Sequence, residues 1–235
     1  GICRISSLVD RANVLGIPAL AITDVSNIYG AVKFYQRCIG RGIKPIIGAE
    51  VNMTTGTGSS NPVSLVLLCR NNDGYQFLCE LLSNLHTRHC AGSSFTVTRD
   101  ELARGGTNLI ALSSGSRGEI GRTLLNGNLQ MGEEIIQECR TLFPGNFYIE
   151  ISRVGNAAEE DCLRLVLPLA ARVGIPVVAS NDVRFINADE FLAHEIRVCI
   201  NDGRILDDPR RPRRYTEHQY LRSPKEMRDL FNDIP

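Results

Sequence analysis

Short, branched apolar runs alternate with helical patterns along most of the sequence, and this alternation confines the chain to a small set of architectures. The runs Ala19–Ile22, Pro45–Val51, Ser64–Leu68, Leu109–Leu112, Tyr148–Ile151 and Val177–Ala179 are each bounded by Gly, Pro or Asn, as strands are. Between them, Ser6–Leu15, Gly30–Ile39, Tyr75–Leu85, Met131–Leu142 and Glu159–Val173 carry apolar residues at helical spacing, with Gly16 and Gly174 placed as stops. The order predicts an α/β fold with parallel strands and helical crossovers. The nearly continuous apolar strands predict a sheet covered on both faces, either a barrel or an open doubly wound sheet.

After Asp202 the pattern changes. Asp207–Tyr215 reads as a loop, and Ser223–Phe231 as a last helix with Ser223 as cap and Pro224 in its first turn. Thr54–Asn61, rich in Thr, Gly and Ser, reads as a loop. The 235 residues suit one domain, 1–235, with Asp202–Pro235 beginning a connection to further chain.

The 26 basic and 26 acidic residues cancel, so any nucleic-acid contact must come from a local patch. The one basic cluster is Arg210, Arg211, Arg213 and Arg214, which can hold phosphate or an acidic partner, or form a solvated loop balanced by Asp207 and Asp208. No apolar run reaches the ~20 residues of a membrane span, and no leader is expected. Of eight cysteines, Cys69, Cys79, Cys162 and Cys199 sit in apolar runs; free core thiols in a reducing cytoplasm are expected.

In parallel α/β folds chemistry collects at the carboxyl ends of strands. Asp24, Glu50 and Asp182 each follow or close a predicted strand and can converge on one rim. Three such carboxylates can bind a hard cation or act as acid and base; equally, they can cap helices or pair with arginines. Glycine-rich phosphate loops and a Gly-x-Ser-x-Gly elbow are missing, and none of the four histidines follows a strand. His86, His89 and Cys90 have an unusual spacing for a metal clip and read as solvated helix-end side chains, while His194 reads as a satisfied, partly buried histidine.

Several stretches together resemble one family. They are Gly16–Asp24, Ala31–Tyr35, Gly42–Glu50, Asn71–Tyr75, Val177–Asp182, Ala193–Arg197 and the tail Asp207–Tyr215. Across essentially the whole chain these are similar to the PHP (polymerase and histidinol phosphatase) domain that opens the alpha subunit of bacterial DNA polymerase III. The resemblance implies a distorted, TIM-like (β/α)7 barrel whose first strand, with its His-x-His pair, precedes Gly1.

Active members hold a metal cluster at the carboxyl rim through His, Asp, Glu and sometimes Cys. Measured against that pattern, the ligand positions here read Val25, Ser64, Gly115, Val154 and Arg184, leaving Glu50 and Asp182 with Asp24 beside them. Val and Gly offer no donor atom, and a guanidinium stays protonated. The resemblance therefore implies a metal-free, catalytically silent scaffold within a DNA-directed DNA polymerase, with Mg²⁺ serving only the polymerase core. The implied partners are the rest of the polymerase chain, the proofreading exonuclease and other replicase subunits, and DNA. The alternative is an active metal-dependent phosphoesterase or 3′–5′ exonuclease. Arg184 is expected to pair with Asp182 or Glu50.

Overall fold

The computed structural model describes residues 2–55, 61–90 and 95–234; residues 56–60 of the Thr54–Asn61 loop lie outside them. The elements run α1 (Ile5–Val14), β1 (Ala19–Ile22), α2 (Ala31–Ile39), β2 (Lys44–Met53), β3 (Val63–Cys69), α3 (Asn72–Cys90), α4 (Arg99–Ala103), β4 (Leu109–Leu112), α5 (Glu119–Leu125), α6 (Leu129–Leu142), β5 (Phe147–Ser152), α7 (Ala158–Val173), β6 (Val177–Ser180), α8 (Phe191–Asp202) and α9 (Pro224–Leu230). Six strands form one sheet in sequence order, β1 to β6, curled into a half-barrel with helices outside.

The parallel expectation needs one correction. β1–β2, β4–β5 and β5–β6 pair in parallel, but β3 runs antiparallel to both neighbours. Its link to β2, residues 54–62, is shorter than the roughly dozen residues that a parallel crossover needs. The reversal places the first residues of β3 at the carboxyl end of the others: Ser64 is paired with Asn52, two residues past Glu50.

Full coverage on both faces holds for the centre only. β3 is buried along Val63–Leu67, whereas edge strands β1 and β6 have no fully buried residue. The main core lies between β2–β5 and helices α3, α5, α6 and α7, around Leu67, Leu78, Ile136, Ile149 and Leu169; each such side chain contributes roughly 1.5–3 kcal/mol when fully buried. A second cluster, Val9, Phe34, Cys38, Ile43 and Leu221, joins α1, α2 and the tail.

Ser223 and Glu226 form a reciprocal capping box on α9, with Pro224 in its first turn, as the sequence predicts. All eight thiols are free. Burial pushes Cys139 up to about 12 and Cys69 and Cys162 up to about 11, so these three behave as core side chains rather than nucleophiles. Among the described residues, no helix is long and apolar enough to cross a membrane.

Candidate functional site: an ion-paired rim

Glu50, Ser64, Asp182 and Arg184 come together at the carboxyl end of the sheet. Glu50 lies in β2 and Ser64 in β3, on one face. The Ser64 hydroxyl donates to Glu50 Oε1 at 2.5 Å, and Arg117 Nη1 donates to the same oxygen at 3.0 Å. Asp182 follows β6. Arg184 Nη2 stands 2.8 Å from its Oδ1 and 3.0 Å from its Oδ2. Gln219, buried, donates to Oδ2 at 2.9 Å and to the Asp182 carbonyl at 3.2 Å. Arg117 Nη2 lies 3.9 Å from Asp182 Oδ2, so this guanidinium bridges a carboxylate in β2 and one just past β6.

Arg184 therefore pairs with Asp182, while the guanidinium bonded to Glu50 is Arg117, which the sequence reading did not single out. Arg117 is aimed across the rim by a tight turn after β4, where Ser114 and Gly115 both take left-handed backbone (φ +59° and +53°). A Cβ on the next glycine, Gly118, would overlap the Ser113 carbonyl oxygen, so α5 can press onto this turn only through a glycine. A strand-end rule overlooks Arg117 because it sits five residues past the strand, inside the turn.

Glu150 was also missed. It lies within β5, whose burial alternates: Phe147, Ile149 and Ile151 face the core, while Tyr148, Glu150 and Ser152 point the other way. Burial raises its pKa first of all, and the nearby Asp182 and Glu50 charges add to this. The Ser180 hydrogen bond and Arg117 oppose the rise. The period-2 pattern of β5 was the available signal.

Asp24 reaches the rim by backbone only. Its carbonyl accepts Glu50 N at 3.2 Å, and Ser26 N donates to Glu50 O at 2.7 Å, but its exposed carboxylate has no hydrogen bond or ion pair among the described residues. Of the replaced positions, Val25 is bridged to Glu50 and half exposed. Gly115 lines a small cavity with Glu150, Ser152 and Glu159. Val154 is buried, in a loop fixed by Glu159, whose carboxylate accepts the backbone N–H groups of Val154, Gly155 and Asn156 at 2.8, 3.0 and 3.1 Å.

The tail crosses this rim. Thr216 donates to the Val154 carbonyl, Asn181 Nδ2 donates to the carbonyls of His218 and Tyr220, and Arg184 N donates to Gln219 O. Arg184 also lies over the Tyr215 ring, 5.6 Å from its centroid.

Two expectations about histidine change. His86 is not solvated: its Nε2 is 3.0 Å from the Ser26 carbonyl and its ring packs edge-on to Phe95. His194 is fully buried but not satisfied, because its Nδ1 has no hydrogen-bond partner among the described residues; Phe185 and Tyr215 hold the ring instead. In the basic cluster, Arg211 turns inward to the buried Glu195 at 2.5 Å, Arg214 pairs with Asp202 at 3.2 Å and Arg210 lies 3.5 Å from Asp208. Arg213 has no ion pair among the described residues. Arg211 is thus a structural side chain, not a free phosphate contact.

The donor set does not fit a multi-metal centre. The positions where the family resemblance implies imidazole or thiolate carry Val, Ser, Gly and Arg, and Glu50 and Asp182 already accept guanidinium groups. Among the described residues, no three His, Cys, Asp or Glu side chains group so as to hold a metal ion.

The chain is 45% identical over all 235 residues to DNA polymerase III subunit alpha of Escherichia coli (strain K12), and 43% identical over the same span to that of Pseudomonas aeruginosa. In each case it covers 20% of the relative's length. An amidohydrolase from Chromobacterium violaceum, solved with bound SO4 and no metal, superposes with a TM-score of 0.53 over 77% of this chain and 82% of that one; at 16% identity this likeness concerns the fold alone. The family model described as PHP domain matches residues 1–154, well over half the chain, and the chain belongs to the PHP domain family.

Proposed function

We propose that this chain is the PHP segment of a replicative DNA-directed DNA polymerase and acts there as a metal-free scaffold. The observation that carries the reading is the 45% identity, over the full chain, to a polymerase subunit about five times its length. The rim chemistry supports the silent part. A hydrolytic centre must lower the pKa of a bridging water through bound cations. Here two guanidiniums stand among the carboxylates, adding positive charge where a metal would need anionic or neutral donors. The rim thus ties β2, the β4–α5 turn, β6 and the tail together by ion pairs and hydrogen bonds. Active phosphoester or 3′-end hydrolysis is the less supported alternative.

In this reading nucleotidyl transfer belongs to another part of the parent protein, with Mg²⁺ there. The PHP segment serves as a docking body for the rest of that chain and for a proofreading exonuclease subunit. Arg210 and Arg213 are exposed members of the basic cluster, placed for an acidic or phosphate contact.

Primer extension by the full-length protein carrying this chain tests the proposal. Template-directed synthesis with Mg²⁺ and deoxynucleotides is expected, unchanged by Glu50→Gln. A full-length protein that folds and extends no primer would overturn it.

A further inference from the structure

Helix α8 is folded inside out. An ordinary surface helix buries its apolar stripe and shows its charges to water. In α8 the buried residues are His194, Glu195 and Cys199, with Glu195 only 3% exposed and tied to Arg211. Leu192, Ile196 and Ile200, spaced i, i+4 and i+8, form a straight apolar row on the outside, and Ile200 is 76% exposed. Ile205, just past the helix, is exposed too. The row is about 12 Å long at 1.5 Å per residue.

We propose that this outer face of α8 is the seat of the remaining body of a longer polypeptide, packed permanently against it. The inference rests on the reading above that the chain is part of a larger polymerase, and it names the surface used. Three observations favour that occupant over a separate subunit or a second copy. The relatives at 43–45% identity extend over five times this chain's length, so a large body on the same polypeptide is available. The row is purely aliphatic. Obligate contacts resemble a domain core cut in half, whereas the hot spots of protein–protein interfaces are enriched in Tyr, Trp and Arg. A helix that encloses an ion pair and presents isoleucines is suited to a partner that never leaves, and covalent attachment supplies one at high effective concentration. The exposed row on α2 differs, because Tyr35 stands there beside Val32 and Ile39, with Tyr29 just ahead of the helix.

The test uses the full-length protein with a photoreactive phenylalanine analogue replacing Ile200, and the same analogue replacing Tyr35 as comparison. Irradiation of the position-200 protein is expected to crosslink within the chain, to residues beyond 235, as mapped by mass spectrometry. In addition, Ile196→Glu/Ile200→Glu is expected to speed tryptic cleavage between Arg204 and Arg214 about tenfold, as local opening becomes easier. Crosslinks from position 200 only to another polypeptide, or none at all, would overturn the proposal. So would internal crosslinks from position 35 alone, or an unchanged cleavage rate. Neither readout needs polymerase activity, so failure of primer extension and failure of this docking are separate results.

Discussion

Replacing Arg184 with alanine removes two contacts from Asp182, at 2.8 and 3.0 Å, and the guanidinium over Tyr215. The side chains are 18% and 27% exposed, so the pair is neither dry nor open. Breaking a fully buried pair costs about 3–5 kcal/mol, and an exposed one about 0–1 kcal/mol. Asp182 is not abandoned, since Gln219 remains at 2.9 Å and Arg117 at 3.9 Å. A loss of about 2 kcal/mol follows from these limits, including a small cation–π share. For a domain of this size that is a fall in Tm of about 4–8 °C at neutral pH. Thermal unfolding of wild type, Arg184→Ala, Asp182→Asn and the double variant gives both the loss and the coupling. The single losses should not add, because each removes the same contact. A melt of Arg184→Ala within about 1 °C of wild type, or simple additivity, would refute the reasoning.

Glu150 has its pKa raised above 4.5, chiefly by burial. A raised carboxylate contributes stability that is fully present below its unfolded pKa and lost as pH rises through the folded value. Glu150→Gln is therefore expected to melt like wild type near pH 4 and higher than wild type near pH 8; a constant gap in melting temperature would contradict this. His194 has its pKa lowered from 6.5, chiefly by burial, so its contribution is present above 6.5 and lost as pH falls through the folded value. His194→Phe should abolish that acid-side loss, and melts recorded between pH 7.5 and 5 show whether it does. Arg184→His restores one imidazole while the donors at Val25, Gly115 and Val154 stay missing, so no phosphodiesterase activity should appear with added manganese or zinc; robust turnover would sink the degenerate-rim reading.

Periodicity placed all six strands and the long helices because each apolar run is short, branched and closed by Gly, Pro or Asn. It could not show that β3 is reversed. Ser64–Leu68 is apolar at nearly every position, and a buried strand reads alike in either direction. The short helices α4 and α5 were overlooked, since five and seven residues hold too few turns to show a period. At the rim, Glu50 was legible from its place near the close of a strand, Asp182 from its place after one, and Arg184 from the family resemblance. Arg117 and Glu150 were not, one hidden in a left-handed turn and the other in the alternating face of β5. Gln219 lies thirty-seven residues from the Asp182 it holds, a contact that only the folded tail creates.

The proposal that ion pairs fill this rim in place of a metal cluster is tested most directly by elemental analysis of the purified 235-residue chain after gel filtration in chelated buffer. The account predicts substoichiometric zinc, manganese and iron, because guanidiniums stand where donors would be needed. Tightly held transition metal at one or more equivalents per chain, lost on Glu50→Ala or Asp182→Ala, would contradict it.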